Sequence, residues 1–191
     1  AYHPESIERL VVINSPHPYL FAGALATDAP QQAASQYMHY LCAPQAEGLL
    51  SANQFSKLES FFAHGAALLP AWFERDFYHA AWSREDPQFP GHALTGGLNY
   101  YRVSPLKPPK TGDVRPLPTW DKARFKVKVP TRVIWGMADI ALQPVLLQGL
   151  EEFVPDLHIQ PIATAGHWLI HEHGEEIARL IQSAQSHSPI K

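Results

Sequence analysis

The hydrophobic patterning of the chain predicts an α/β protein: a parallel sheet interrupted by a large helical insertion. Two observations carry this. Short β-branched runs stand at ERLVVIN (8–14), VPTRVIWGMAD (129–139) and DLHIQPIATAGH (156–167), each bounded by charge, Pro or Gly; runs of this kind fit strands buried on both faces. Helical patterns follow all three runs, and strands alternating with helices argue for a parallel sheet with helical crossovers.

Each element has its own signal. The chain opens on AYHPESIERLVVIN, which reads as the end of a helix running into the first strand. From Tyr19 to about Arg102 the spacing turns helical: PQQAASQYMHYLCA (30–43), SANQFSKLESFFAHGA (51–66) and LPAWFERDFYHAAW (69–82) repeat apolar residues every three or four positions, with Pro or Ser near their starts. ALTGGLNYYR (93–102) is a further short helix weakened by Gly96 and Gly97. No strand signal stands in this region, so it is expected to be an all-helical insertion. Residues 104–130 are proline-rich and predict an extended connector. The second strand ends at Gly136, a helix is expected from about Pro144 to Phe153, the third strand follows, and GEEIARLIQSAQ (174–185) is an amphipathic closing helix. The expected domains are 1–18 as core strand and exit loop, 19–104 as helical cap, and 105–191 as the rest of the core. Three strands cannot cover both faces and both edges of an independent sheet. The chain is therefore expected to be the second part of a larger α/β domain.

Composition narrows the function. The chain has 191 residues, 46% hydrophobic and 17% charged, with a formal net charge of −3, which suits one substantial core. Its 15 Lys and Arg are scattered, and the densest basic stretch, KARFKVK (122–128), is short, so no nucleic-acid partner is expected. A single cysteine, Cys42, excludes an internal disulfide and fits a reducing, cytoplasmic setting. No apolar run approaches the roughly 20 residues of a membrane span, and no signal peptide is read at the start.

In parallel α/β sheets, ligands bind beyond the carboxyl ends of the strands. Asp139 follows the second strand and His167 the third, so adjacent strands would bring both to one rim. A carboxylate accepting from imidazole Nδ1–H fixes the tautomer and leaves Nε2 as a base. The alternative is that Asp139 caps a turn and His167 is a buried, bonded histidine. ATAGHWLIHEH (163–173) also holds His171 and His173, but it lacks the Glu of an H-E-x-x-H site, and no metal or other cofactor is expected.

VPTRVIWGMAD and LEEFVPDLHIQPIATAGHWLIHEHGEEIARLI resemble the C-terminal half of the α/β-hydrolase superfamily. IERLVVINSPHPYLF and GGLNYYR are similar to the epoxide hydrolases within it. The resemblance implies Asp139 as triad acid, His167 as general base, and Tyr37 and Tyr101 as cap tyrosines that donate to the opening epoxide oxygen. Tyr40 and Tyr100 stand close enough in sequence for an error of register. Trp168 and Phe21 are candidates for lining the cleft. The resemblance further implies an epoxide as the small-molecule substrate, with no membrane partner, and a homodimer is compatible with it. The family's nucleophilic Asp and its His-Gly-x-Pro loop stand ahead of the segment that opens here, so these residues alone are expected to be inactive and to need the N-terminal half. A haloalkane or haloacetate dehalogenase stays open through His39, Trp72 and Trp82; a serine esterase or a non-catalytic binding module stays open as well.

Overall fold

The computed structural model describes residues 3–63, 69–86, 89–110 and 112–185. In chain order the regular elements are β1 (Leu10–Ile13), α1 (Pro18–Thr27), α2 (Ala29–Ala34), α3 (Tyr37–Cys42), α4 (Ala46–Glu59), α5 (Arg75–Ser83), β2 (Glu85–Asp86), β3 (Phe89–His92), α6 (Ala93–Val103), β4 (Thr131–Gly136), β5 (Leu157–Ile162), α7 (Leu169–Glu172) and α8 (Gly174–Gln185). The chain divides into two compact units, 1–35 with 108–191 and 36–107. Among the described residues no helix is long and apolar enough to cross a membrane.

The first unit holds a three-stranded sheet of order β1-β4-β5, with both neighbouring pairs parallel. Central β4 is the most buried strand, with only Arg132 partly exposed, as its unbroken TRVIWG run requires. Arg132 is not wasted there: its guanidinium donates to the Leu180 carbonyl at 2.6 Å and to Ser183 Oγ at 2.7 Å, tying α8 to the sheet. Ile134, Ile162, Ala165, Leu169 and Ile177 form the buried cluster of that face, with Val11, Ile13, Leu180 and Ile181 packed against it. The spacing of Ile177, Leu180 and Ile181 is the apolar stripe that the closing helix presents.

Residues 18–35 belong with this sheet, whereas the expected cap began at Tyr19. The reason is a buried polar staple. Gln31 is fully buried; its Nε2 donates to Ser35 Oγ and to the Ala141 carbonyl, both at 2.9 Å, and its Oε1 accepts from Gln143 N at 2.8 Å. Leaving any of these groups unpaired would cost about 1–3 kcal/mol, so α2 stays with the loop after β4. The exit from β1 is fixed as well. His17 Nε2 bonds the Phe125 carbonyl at 2.9 Å, and its ring lies 4.4 Å from that of Phe153; burial pushes its pKa down.

Among its described residues, the regular structure of the second unit is helical apart from one ribbon. The expected helix over 30–43 is two helices, with Ser35 and Gln36 between α2 and α3. That over 51–66 is shifted to α4, whose path breaks at Ala52–Phe55, where Asn53, Gln54 and Phe55 take positive φ; residues 64–66 lie outside the described residues. That over 69–82 begins only at Arg75. β2 and β3 pair antiparallel, a ribbon that no strand pattern marks in a segment carrying Pro87 and Pro90. α6 persists through Gly96 and Gly97 because Leu94 and Leu98 are buried on one of its faces. They join Leu41, Ala46 and Leu50 in a cluster against which Tyr37, Tyr40 and Tyr101 pack; packing of this kind overrides local propensity. Arg102 grips Glu47 through two bonds of 2.6 and 2.7 Å, and this pairing holds the Glu47 carboxyl down at about 2.

In the core unit, the helix expected over Pro144–Phe153 is instead two 3-10 turns, Pro144–Leu147 and Leu150–Glu152. Gly149, at φ 78°, breaks the path between them.

Gly136 at the end of β4 faces a close approach of the backbone after β5. A Cβ there would lie 2.5 Å from the Ala165 carbonyl oxygen and 2.6 Å from that of Gly166. Both neighbours are main chain and cannot rotate away. Gly136→Ala in the full-length protein is therefore expected to lower stability by about 1–3 kcal/mol, read as a lower denaturant midpoint; an unchanged midpoint would contradict this packing.

Candidate active site

The parallel register lines up three strand ends. Ile13 pairs with Ile134, and Gly136 with Ile162, so Asn14, Asp139 and His167 all follow on the carboxyl rim. Pairing continues past the strands: Met137 N donates to the Ile162 carbonyl and Ala138 N to that of Ala165, each at 3.0 Å. These bonds draw the loop after β4 against the loop after β5.

His167 Nδ1 and Asp139 Oδ2 are 2.8 Å apart. The Asp139 side chain is wholly buried, while that of His167 is 33% exposed, so the acid is sealed beneath an imidazole that remains accessible. Asp139 Oδ1 accepts from Ala141 N at 2.7 Å and Leu142 N at 2.9 Å. The carboxylate thus caps its own turn and also holds the histidine, which unites the two readings the sequence left open. Since Oδ2 accepts, His167 carries its proton on Nδ1 in the neutral ring, and Nε2 is the basic nitrogen.

Three contributors were missed by sequence reasoning. Asn14 donates from Nδ2 to Asp139 Oδ2 and to the Gly166 carbonyl, both at 3.0 Å, and accepts at Oδ1 from Gly136 N at 2.8 Å. Glu172 accepts from Gly166 N at 2.9 Å. Gln31 holds the loop after β4 through Ala141 and Gln143. Only Asn14 left a signal: a polar residue closing an apolar run at a strand's carboxyl end.

Trp168 is half-buried and stands edge-on to His167 at 5.3 Å; Phe21 is buried in α1. His171 is exposed, and His173 pairs with Glu176 at 3.4 Å. Among the described residues no three His, Cys, Asp or Glu side chains converge as metal ligands.

In the helical unit, Tyr37 and Tyr101 meet edge-to-face with ring centroids 6.1 Å apart. Burial raises the pKa of the Tyr101 phenol, against the opposing effect of its hydrogen bond with Tyr37. Tyr100 is 75% exposed, and the Tyr40 ring faces Lys57 Nζ at 5.7 Å, so α3 and α6 bring together Tyr37 and Tyr101 rather than their sequence neighbours. Trp72 and Trp82 lie in an aromatic group around Phe62, with centroids 6.2 and 5.9 Å from its ring.

A parallel sheet that offers an acid and a bonded histidine from successive strand ends, joined to a helical insertion, has the architecture of an α/β-hydrolase. The AB hydrolase superfamily protein YfhM of Bacillus subtilis (strain 168) is 32% identical over 182 residues, covering 93% of this chain and 57% of the relative. Epoxide hydrolase 3 of Mus musculus is 31% identical over 189 residues, covering 92% and 44%. The crystal structure of a Bacillus megaterium epoxide hydrolase in complex with an inhibitor matches with a TM-score of 0.75 at 25% identity, over 97% of this chain and 63% of that one. No family model matches the chain. The chain is α/β-hydrolase-like, and its similarity falls on the epoxide hydrolases. It corresponds to a C-terminal part of that fold with its helical cap, and spans about half the length of the curated relatives it matches.

The raised Tyr101 pKa keeps that phenol a proton donor into alkaline solution. Ultraviolet titration of the full-length protein is expected to show a tyrosine ionising above the ordinary value of 10.0, and Tyr101→Phe to remove that late component.

Proposed function

We propose that this chain is the histidine- and cap-bearing part of an epoxide hydrolase. A carboxylate from a segment outside these residues attacks an epoxide carbon. The carbon–oxygen bond of the ring breaks, and charge develops on the departing oxygen. Tyr37 and Tyr101 donate to that oxygen, and one of them delivers a proton; donors fixed in advance in a dry site stabilise such charge far better than water does. His167 Nε2 then takes a proton from water, the resulting hydroxide adds to the ester carbonyl, and the diol leaves while the carboxylate is restored. Asp139 supports the imidazolium. Trp168 and Phe21 line the substrate cleft.

The observation that carries this reading is the Tyr37–Tyr101 pair, two phenol rings packed edge-to-face with centroids 6.1 Å apart. An acyl ester needs no phenol pair at its leaving group, and a dehalogenase needs halide donors instead; of its candidates His39, Trp72 and Trp82, the two tryptophans serve the aromatic packing around Phe62.

In the full-length protein, His167→Gln is expected to trap the ester, seen by intact mass as an adduct of one epoxide. Absence of any adduct alongside lost turnover would argue against a covalent route. Tyr37→Phe and Tyr101→Phe are each expected to slow epoxide opening by about 10²–10³-fold, the scale of losing one oxyanion donor; wild-type rates in both would remove the epoxide assignment.

A further inference from the structure

We propose that Asn14 is a positioning residue for the Asp139–His167 pair, holding Asp139 Oδ2 and the Gly166 carbonyl so that the imidazole stays aligned on the carboxylate. This rests on the reading of His167 as the base that activates water.

Three partners decide how the amide of Asn14 points. Gly136 N is a donor, so the atom 2.8 Å from it must be Oδ1. Nδ2 then faces two acceptors, Asp139 Oδ2 and the Gly166 carbonyl, at 3.0 Å each. Its three bonds therefore join the ends of all three strands: β1 through its own backbone, β4 through Gly136 and Asp139, and β5 through Gly166. A carboxylate oxygen offers about two lone-pair directions. With one on Oδ2 taken by the amide, and Oδ1 taken by Ala141 N and Leu142 N, a single direction is left from which the His167 N–H can reach the carboxylate. Asn14 also fixes where that ring starts, because it holds the carbonyl of Gly166, whose nitrogen Glu172 holds from the other side.

The backbone explains why asparagine suits this place. Asn14 has φ 39°, in the left-handed region where Asn and Asp are the best tolerated side chains after Gly. Asn14→Gly therefore keeps the backbone and removes only the amide. Asn14→Asp keeps the shape and sets an acceptor against two acceptors.

The test is made on full-length protein, reading the Nδ1 proton and nitrogen chemical shifts of His167 in isotopically labelled samples at a pH where the ring is neutral. Wild type is expected to show a downfield Nδ1 proton bonded to the carboxylate, and both variants that resonance moved upfield or broadened as the alignment loosens. Epoxide turnover is expected to fall about 10–100-fold in kcat, the scale of a misplaced catalytic group, with KM changed by less than about twofold because no substrate contact is lost. An Nδ1 proton resonance unchanged in both variants overturns the proposal whatever the rates do, and Asn14→Asp alone decides it should the glycine variant not fold. Failure of the epoxide reading would show separately, as a His167→Gln protein that forms no ester, and would leave the measurement of the His167 hydrogen bond valid.

Discussion

The Asp139 carboxylate accepts four hydrogen bonds, from Ala141 N, Leu142 N, Asn14 Nδ2 and His167 Nδ1, and much of the core unit is arranged to deliver those donors. A wholly buried carboxylate is tolerable only when its lone pairs are answered. Two donors come from its own turn, which α2 supports through Gln31. The others arrive from the strands on either side, so β4 has to be central and its neighbours parallel. In an antiparallel pairing the residues after β1 and β5 would emerge at opposite ends of the sheet from Asp139.

Bringing those loops together demands that main chain approach main chain. The carbonyls of Ala165 and Gly166 pass so close to Gly136 that no side chain fits between, and Gly136 N uses the same proximity to bond Asn14. Closeness here yields rigidity. The histidine follows a residue bonded at both its carbonyl and its nitrogen, so its position comes from the sheet and α7 rather than from a free loop.

The helical unit positions its tyrosines by packing. α3 and α6 share an apolar cluster with α4, and the phenols of Tyr37 and Tyr101 sit against it. The bidentate Glu47–Arg102 pair fastens α4 to the last turn of α6 beside Tyr101. Surrounding apolar groups disfavour the phenolate, which keeps Tyr101 a donor.

The three strands, the closing helix, the strand-end placement of Asp139 and His167 and the two tyrosine-bearing helices were legible in the sequence. Each follows from hydrophobic period, which local residues carry by themselves, or from position at the end of such a run. The sequence did not reveal Gln31 and Glu172, whose bonds span chain separations or loop turns that no periodicity encodes. It also could not show that Pro144–Phe153 breaks into two 3-10 turns, that α2 leaves the cap for the core, or that a ribbon interrupts the helices. Those outcomes depend on which buried polar groups find partners and on where backbones must touch. Such requirements exist only once distant segments are assembled, so tertiary structure decided them.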